Sequence, residues 1–258
     1  MKCNICKTRS RSIFKGKILN KYDADYYLCP NCKFLQIKDP FWLEEAYKDP
    51  INKYDTGILS RNISLSKLTA IIIYYFFDVN SSFLDYAGGY GIFTRMMRDI
   101  GFDFYWSDPY SENLLARGFE HDREKAIELL TSFESFEHFK NPIDEISKML
   151  AISDNILFTT ELLPINIPSP DEWWYYGIEH GQHISFFSEK TLRYISVKFN
   201  LKLLTIPNKN VHLLTGRYYS KTKFRMLIKY YDFIFEKIMR RKLESKTFDD
   251  MLFLKKQK

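Results

Sequence analysis

Leu84-Asp85-Tyr86-Ala87-Gly88-Gly89-Tyr90-Gly91 is the stretch that decides the fold. Ser82-Phe83-Leu84 reads as the end of a short buried strand, and Ile92-Phe93-Thr94-Arg95-Met96-Met97 as a helix start, so the order is strand, tight turn, helix. Glycines suit such a turn because the chain reverses sharply and because a Cβ would hold the backbone away from a ligand. Gly101-Phe102-Asp103-Phe104-Tyr105-Trp106-Ser107 then reads as a second parallel strand, whose carboxyl end presents Asp108, seventeen positions after Gly91. Ligands of open α/β sheets sit at strand carboxyl ends, and an acid about 20 residues past the glycines can accept both hydroxyls of a ribose. The pattern describes a pocket for a nucleoside cofactor.

The turn resembles the first motif of class I S-adenosylmethionine-dependent methyltransferases, Asp/Glu-x-Gly-x-Gly-x-Gly. Asp85, Gly89 and Gly91 match it, and Ala87 stands where the first glycine is usual, with Gly88 beside it. The dinucleotide fingerprint Gly-x-Gly-x-x-Gly cannot be placed on Gly88, Gly89 and Gly91, so the methyl donor is preferred to NAD. The resemblance implies an α/β fold, a Rossmann-like sheet ending in an antiparallel hairpin.

At 258 residues the chain has room for one α/β domain and a small appendage. Residues 217–258 carry 13 Lys/Arg against 5 Asp/Glu, so this tail holds a charge of +8 and the remainder is −2. The body is thus not a basic groove, and nucleic acid is an unlikely partner for it. The first residues lack the charged start and apolar core of a signal peptide, and the longest apolar run, Leu68 to Phe77, is short of the roughly 18 residues of a membrane span. The protein is expected to be soluble and cytoplasmic.

All four cysteines fall in the first 32 residues, as Cys3-x-x-Cys6 and Cys29-x-x-Cys32 with 22 residues between the pairs. Two residues between cysteines let both thiolates of a knuckle face one ion, and two knuckles complete a tetrahedral zinc site. Disulfides or free thiols conflict with a cytoplasmic setting. Four protein ligands leave no open position, so the zinc is expected to be structural.

The expected organisation is a zinc-binding module over 1–38, a linker over 39–56, a methyltransferase domain over 57–216 and a basic helical tail over 217–258. Asp39-Pro40-Phe41-Trp42 and Asp49-Pro50 punctuate the linker, with a short helix at Leu43 to Lys48, and apolar spacing from Gly57 to Phe77 predicts a helix. Past Asp108 a short helix is possible at Ser111 to Ala116, but no third strand can be placed. Strands are expected at Ile127 to Ser132 and Asn155 to Thr160, and a helix capped by Ser188 at 188–200. A hairpin follows, from Leu201 to Ile206 and Val211 to Gly216 across Pro207-Asn208. In the tail a helix from Phe224 to Leu243 aligns Leu227, Tyr231, Ile234 and Ile238 on one face, to pack on its own domain or to meet a partner.

Methyl transfer from a sulfonium is an in-line displacement, so the protein mainly aligns the reacting atoms, and a base is needed where the nucleophile is a hydroxyl or carbon acid. Two clusters are candidates: Glu134-Ser135-Phe136-Glu137-His138, and the loop from Trp173 to Phe187 with Glu179, His180 and His183. The Glu-x-x-Glu-His and Glu-His-x-x-His-x-Ser-Phe-Phe-Ser runs resemble a group of bacterial methyltransferases that carry an N-terminal four-cysteine zinc module and act on nucleotide-linked deoxysugars or surface polysaccharides. The resemblance covers about residues 1–216. It implies that Asp85, Ala87, Gly88, Gly89, Gly91, Asp108 and Pro109 hold the donor, with Ser132, Phe133 and Glu134 lining its adenine or methionine end. It also implies that His180 or His183, beside Glu179, faces a small sugar- or phosphate-bearing acceptor as general base.

Blander readings stand beside these. Glu137-His138 can simply cap a helix toward Pro142, and the Trp173 to Tyr176 aromatics can be packing. As a metal pair His180 and His183 lack a third ligand. Ser107-Asp108-Pro109-Tyr110 looks like the Asp/Asn-Pro-Pro-Tyr motif of base-amino methyltransferases, but it ends the second strand and has one proline. An RNA methyltransferase gripping its substrate with the zinc module and basic tail is the alternative. A catalytically dead interaction module is a third reading, suggested by Ala87 and the missing third strand.

Overall fold

The computed structural model describes residues 1–48, 55–206, 209–239 and 242–256. The Asp49-Pro50 and Pro207-Asn208 positions lie outside the described residues, as does the side chain of Ile238. The chain divides into two compact units: Met1–Asn52 with Phe133–Ala151 and Leu157–Gly216, and Lys53–Ser132 with Ile152–Ile156 and Arg217–Lys258.

The first unit opens with β1 (Arg11–Ile18) and β2 (Tyr22–Leu28), an antiparallel pair. β3 (Leu35–Ile37) follows, and a short helix α1 (Leu43–Ala46) comes next. A late strand, β8 (Ser185–Phe186), pairs with β3 and completes the sheet order β1-β2-β3-β8. Aromatics fill its core: Tyr26, Trp42, Tyr176 and Phe186 are buried together with Leu35. Trp42 satisfies its indole N–H on the Gly181 carbonyl at 2.9 Å, as a buried ring of this kind must. The unit also holds α4 (Pro142–Leu150), started by Pro142, and α5 (Glu189–Lys198), where Ser188 and Thr191 form the expected cap as a reciprocal box. β9 (Lys202–Ile206) and β10 (Val211–Thr215) make the expected antiparallel hairpin.

The second unit contains α2 (Ile58–Phe76), β4 (Ser82–Tyr86), α3 (Ile92–Ile100), β5 (Asp103–Ser107) and β6 (Leu129–Ser132). β4 is parallel to both β5 and β6, with Asp85 in register with Trp106 and Thr131. Phe83 and Phe104 stack at 5.3 Å, and Phe93 meets Phe104 edge-on, so the aromatic richness of the sequence goes into packing. With β7 (Asn155–Thr159) the strand order is β5-β4-β6-β7-β10-β9. This is the α/β, Rossmann-like arrangement with the final antiparallel pair that the motif implied.

Two expectations are corrected, the helix at 111–116 and the unbroken tail helix. No helix forms at 111–116. Asp108 Oδ1 accepts the N–H groups of Tyr110 and Ser111, and Asn113 Oδ1 accepts that of Ala116, so side chains hold the backbone in turns instead. Where a third strand was sought, the described residues hold only an isolated parallel bridge between Trp106 and Glu120. The tail helix is broken: α6 (Lys221–Lys229) and α7 (Tyr231–Ile234) meet at Tyr230, and a π-helical turn over Phe235–Met239 follows. The break buries Phe235 and Met239 while Lys67 holds Asp232 and Glu236 at 2.8 Å each.

One more helix, α8 (Thr247–Lys255), escaped the sequence reading. Asp250 on it binds Arg98 at 2.6 Å and Arg95 at 2.8 Å, and Phe253 stacks on Phe119. The tail therefore packs on its own unit, which is the plainer of the two readings of its apolar face. Among the described residues no helix is long and apolar enough to cross a membrane.

Candidate active site

The glycine turn begins where β4 ends. Ala87, Gly89 and Gly91 all take left-handed backbone angles, with φ of 58°, 53° and 82°. Gly88 is held by space instead, since a Cβ there would lie 2.7 Å from Asp85 Oδ2 and 2.8 Å from Trp106 Cδ1. Ala87 has adopted the backbone that a glycine would accept without cost, and the motif's geometry survives the departure. Gly91 then starts α3 with no side-chain cap, so the positive end of the helix faces the turn.

Asp85 is buried beneath this turn, bonded by Thr94 Oγ1 at 3.1 Å and Thr131 Oγ1 at 3.3 Å. Burial, reinforced by the charge of Asp108, pushes its carboxyl up to about 7, against the two threonine hydrogen bonds. Asp108 Oδ2 accepts the Gly89 N–H at 2.9 Å, and Trp106 Nε1 donates to the Gly89 carbonyl at 2.9 Å. The acid at the end of β5 and the turn at the end of β4 are thus brought together, as the sequence spacing required. Pro109 follows on the exposed side of this acid, and Ser132 is buried at the end of β6. The arrangement offers a positive helix end, exposed backbone and a carboxylate to a nucleoside with a charged tail.

In the first unit, Phe133 and Glu134 are partly buried. Glu134 has φ of 49°, and its N–H bonds Thr159 Oγ1 at 2.9 Å, while Thr159 Oγ1 donates to Glu134 Oε1 at 2.7 Å. Glu137 and His138 do not cap α4, whose N-cap is Asn141; they sit in a separate 3₁₀ turn over Phe136–His138.

The histidines of the later loop gather around this turn. The rings of His138 and His183 are 5.0 Å apart and those of His180 and His183 are 4.7 Å apart. His183 Nδ1 lies 2.6 Å from the Tyr175 carbonyl, which can only accept, so Nδ1 carries the proton and the lone pair is on Nε2. His138 Nδ1 lies 2.9 Å from Tyr47 Oη and 3.2 Å from the Gln182 carbonyl. His180 Nδ1 receives the Gln182 N–H at 3.2 Å. Desolvation lowers His138 to about 4 and holds His183 well below its ordinary value. Glu179 is exposed, and the carboxylate within reach of His138 and His183 is that of Glu137, 1% exposed.

Two further groups of this unit complete the surroundings; Glu161 had no sequence signal, whereas Tyr175 belongs to the Trp173 to Tyr176 run. Glu161 is raised, mainly by burial and also by the charge of Glu134, and Trp173 Nε1 donates to it at 3.4 Å. Tyr175 Oη lies 3.1 Å from Thr160 Oγ1 and accepts the Glu161 N–H at 3.0 Å. Trp173 and Tyr175 are buried packing residues, whereas Trp174 is 74% exposed.

The cysteines form two turns of one design. Lys7 N–H bonds the Cys3 carbonyl and Lys33 N–H the Cys29 carbonyl; Cys3 N–H bonds Thr8 and Cys29 N–H bonds Phe34. Lys7 and Lys33, each just past its second cysteine, have φ of 62° and 61°. Cys3 Sγ is 3.6 Å from Cys32 Sγ and Cys6 Sγ 3.4 Å from Cys29 Sγ, with all four sulfurs within 4.8 Å. A disulfide needs about 2.0 Å, whereas thiolates about 2.3 Å from a tetrahedral zinc lie about 3.8 Å apart. The cluster fits the metal.

A methyltransferase-domain family model matches residues 61–206, more than half of the chain. No curated protein matches. The plantazolicin methyltransferase BpumL, solved in complex with SAH, is similar over 78% of this chain and 90% of its own, with 14% identity and a TM-score of 0.50. The SAH-bound magnesium protoporphyrin IX methyltransferase of Synechocystis PCC 6803 covers 67% of this chain and 90% of its own at 12% identity, with a TM-score of 0.44. OxaC, in complex with SAH and oxaline, covers 67% of this chain and 52% of its own at 16% identity and a TM-score of 0.45. The chain belongs to the methyltransferase-domain family and is a class I S-adenosylmethionine-dependent methyltransferase.

Proposed function

We propose that this enzyme methylates a small sugar- or phosphate-bearing acceptor, such as a nucleotide sugar or a precursor of capsule or surface polysaccharide, in the cytoplasm. Asp85, the Ala87 to Gly91 turn, Asp108 and Pro109 hold the donor, and Ser132, Phe133 and Glu134 line its adenine or methionine end. Residues 1–38 form a zinc-stabilised module on Cys3, Cys6, Cys29 and Cys32, residues 39–56 a linker, 57–216 the methyltransferase domain and 217–258 the basic tail.

The observation that carries the acceptor reading is the imidazole group of His138, His180 and His183, set among the Glu134, Glu137 and Glu161 carboxylates. A hydroxyl acceptor must lose its proton as the methyl leaves the sulfonium, and one of His180 and His183 takes it. The exposed Trp174 supplies a flat face for a sugar ring. Calorimetry with S-adenosylhomocysteine on metal-replete protein tests the donor half, and absence of binding overturns it. His180→Ala and His183→Ala test the base, which should cost ~10²-fold or more in turnover with donor binding retained. The net +8 tail keeps an RNA acceptor as the second reading, and it requires RNA binding that weakens steeply with salt.

A further inference from the structure

We propose that Glu137, His138 and His183 form a second metal site, for a divalent first-row transition ion, separate from the cysteine cluster and beside the acceptor histidines. The proposal rests on the methyltransferase reading only for its use, not for its existence. In sequence His183 lies 45 positions after His138, and neither it nor the Glu137-His138 pair suffices alone. The fold lays them side by side: the Ile184 N–H bonds the Glu137 carbonyl at 2.9 Å, and Ser185 Oγ donates to the Phe139 carbonyl at 2.6 Å. That ladder brings one carboxylate oxygen and two imidazole nitrogens within 4.8 Å of one another.

The donor set is two imidazoles and a carboxylate, which suits ions of the zinc, cobalt and iron class and leaves coordination positions open. One ligand, His183, is already oriented as metal-bound histidines are, by a carbonyl behind it. His183 is fixed by Tyr175, with Nε2 left as the donor atom. The carbonyls of Gln182 and Glu134 and the Tyr47 hydroxyl surround His138. Ion–ligand bonds of about 2.1 Å require the three atoms to close in from their present spread. Charge also favours a cation. Glu137 is 1% exposed, Tyr175 feels the charges of both Glu137 and Glu134, and Glu161 feels that of Glu134.

The site also divides the labour of the histidines. With His183 on the ion, the site would supply Lewis acidity to an acceptor hydroxyl at an open position, and His180 would take that hydroxyl's proton as its oxygen bonds the methyl carbon and the carbon–sulfur bond breaks, leaving S-adenosylhomocysteine.

The test is cobalt loading of the full chain after chelation, with the ion counted per chain after gel filtration. Two cobalt ions are expected, one giving intense thiolate-to-cobalt bands and one giving only weak visible bands. Glu137→Gln and His183→Ala should each drop the count to one and keep the thiolate bands, and His180→Ala should keep two. If His183→Ala fails to fold, the near-isosteric Glu137→Gln still decides. A single ion in the wild type, a second ion that survives Glu137→Gln, or one lost with His180→Ala overturns the proposal. Calorimetry with S-adenosylhomocysteine on Glu137→Gln separates the two readings, since donor binding should persist while the second ion is lost.

Discussion

The carboxylate of Asp108 accepts the backbone N–H of Gly89 at 2.9 Å, so the acid at the end of β5 is itself a wall of the glycine turn on β4. A charge-assisted bond of this kind contributes about 1.5–3 kcal/mol. Asp108→Ala is expected to weaken S-adenosylhomocysteine binding by about tenfold or more, from a loosened turn as well as loss of the proposed ribose contact. Asp108→Asn, which retains an acceptor oxygen for the turn, should melt closer to the wild type while its affinity still falls. Calorimetry and thermal melts on both variants separate the contributions.

Ala87 carries a backbone angle, φ of 58°, that costs an L-residue about 1–2 kcal/mol. Ala87→Gly is therefore expected to stabilise the protein by about 1 kcal/mol after the extra entropy of glycine is subtracted. For a chain of this size that is a rise of about 2–4 °C in melting temperature. An unchanged or lower melting temperature would show that the turn is not strained at this position.

Asp85 gives a pH dependence opposite to that of an ordinary ion-paired acid. Its folded value is about 7 against 3.8 for the free side chain, so between these limits the folded state holds the proton more tightly than the unfolded state. Stability from this group is greatest below about pH 4, falls as pH rises toward 7 and levels off above. Asp85→Asn should therefore look most favourable, relative to wild type, at pH 8 and least so at pH 5. Urea denaturation at the two pH values measures the difference.

Arg98 and Asp250 are nearly inaccessible, at 5% and 6% side-chain exposure, and hold α8 against α3. Removing one partner of such a pair leaves a buried charge, which typically costs about 3–5 kcal/mol. Because Asp103 still binds Arg98 at 2.9 Å, Asp250→Ala is expected toward the lower end of that range. Chemical denaturation reads it directly, and a loss under about 1 kcal/mol would mean that α8 is dispensable.

The strand, glycine turn and helix of the proposed donor site were legible because their signals are local. A glycine turn, the strand before it and the helix after it occupy fewer than twenty consecutive residues, and Ser188 announced α5 in the same way. Residues 111–116 were misread because Asp108 and Asn113 bond the backbone with their side chains, which periodicity does not register. Glu137 looked like a helix cap for the opposite reason: its neighbours in space, His183 and Tyr175, are about forty residues away along the chain. The tail's last helix, α8, hid behind a weak apolar pattern, since what fixes it is an ion pair to Arg98.

Ser185 and Phe186 hydrogen-bond to Gln36 and Leu35, two residues after His183 and three after Cys32 respectively. The cysteines and the loop that carries His180 and His183 are thereby joined through a single short strand pairing. If the cysteines hold zinc as proposed, a chain starved of the ion would lose more than robustness: the proposed acceptor histidines would lose the strand that anchors their loop. Supply of a nutrient ion would then set whether the proposed acceptor site is assembled.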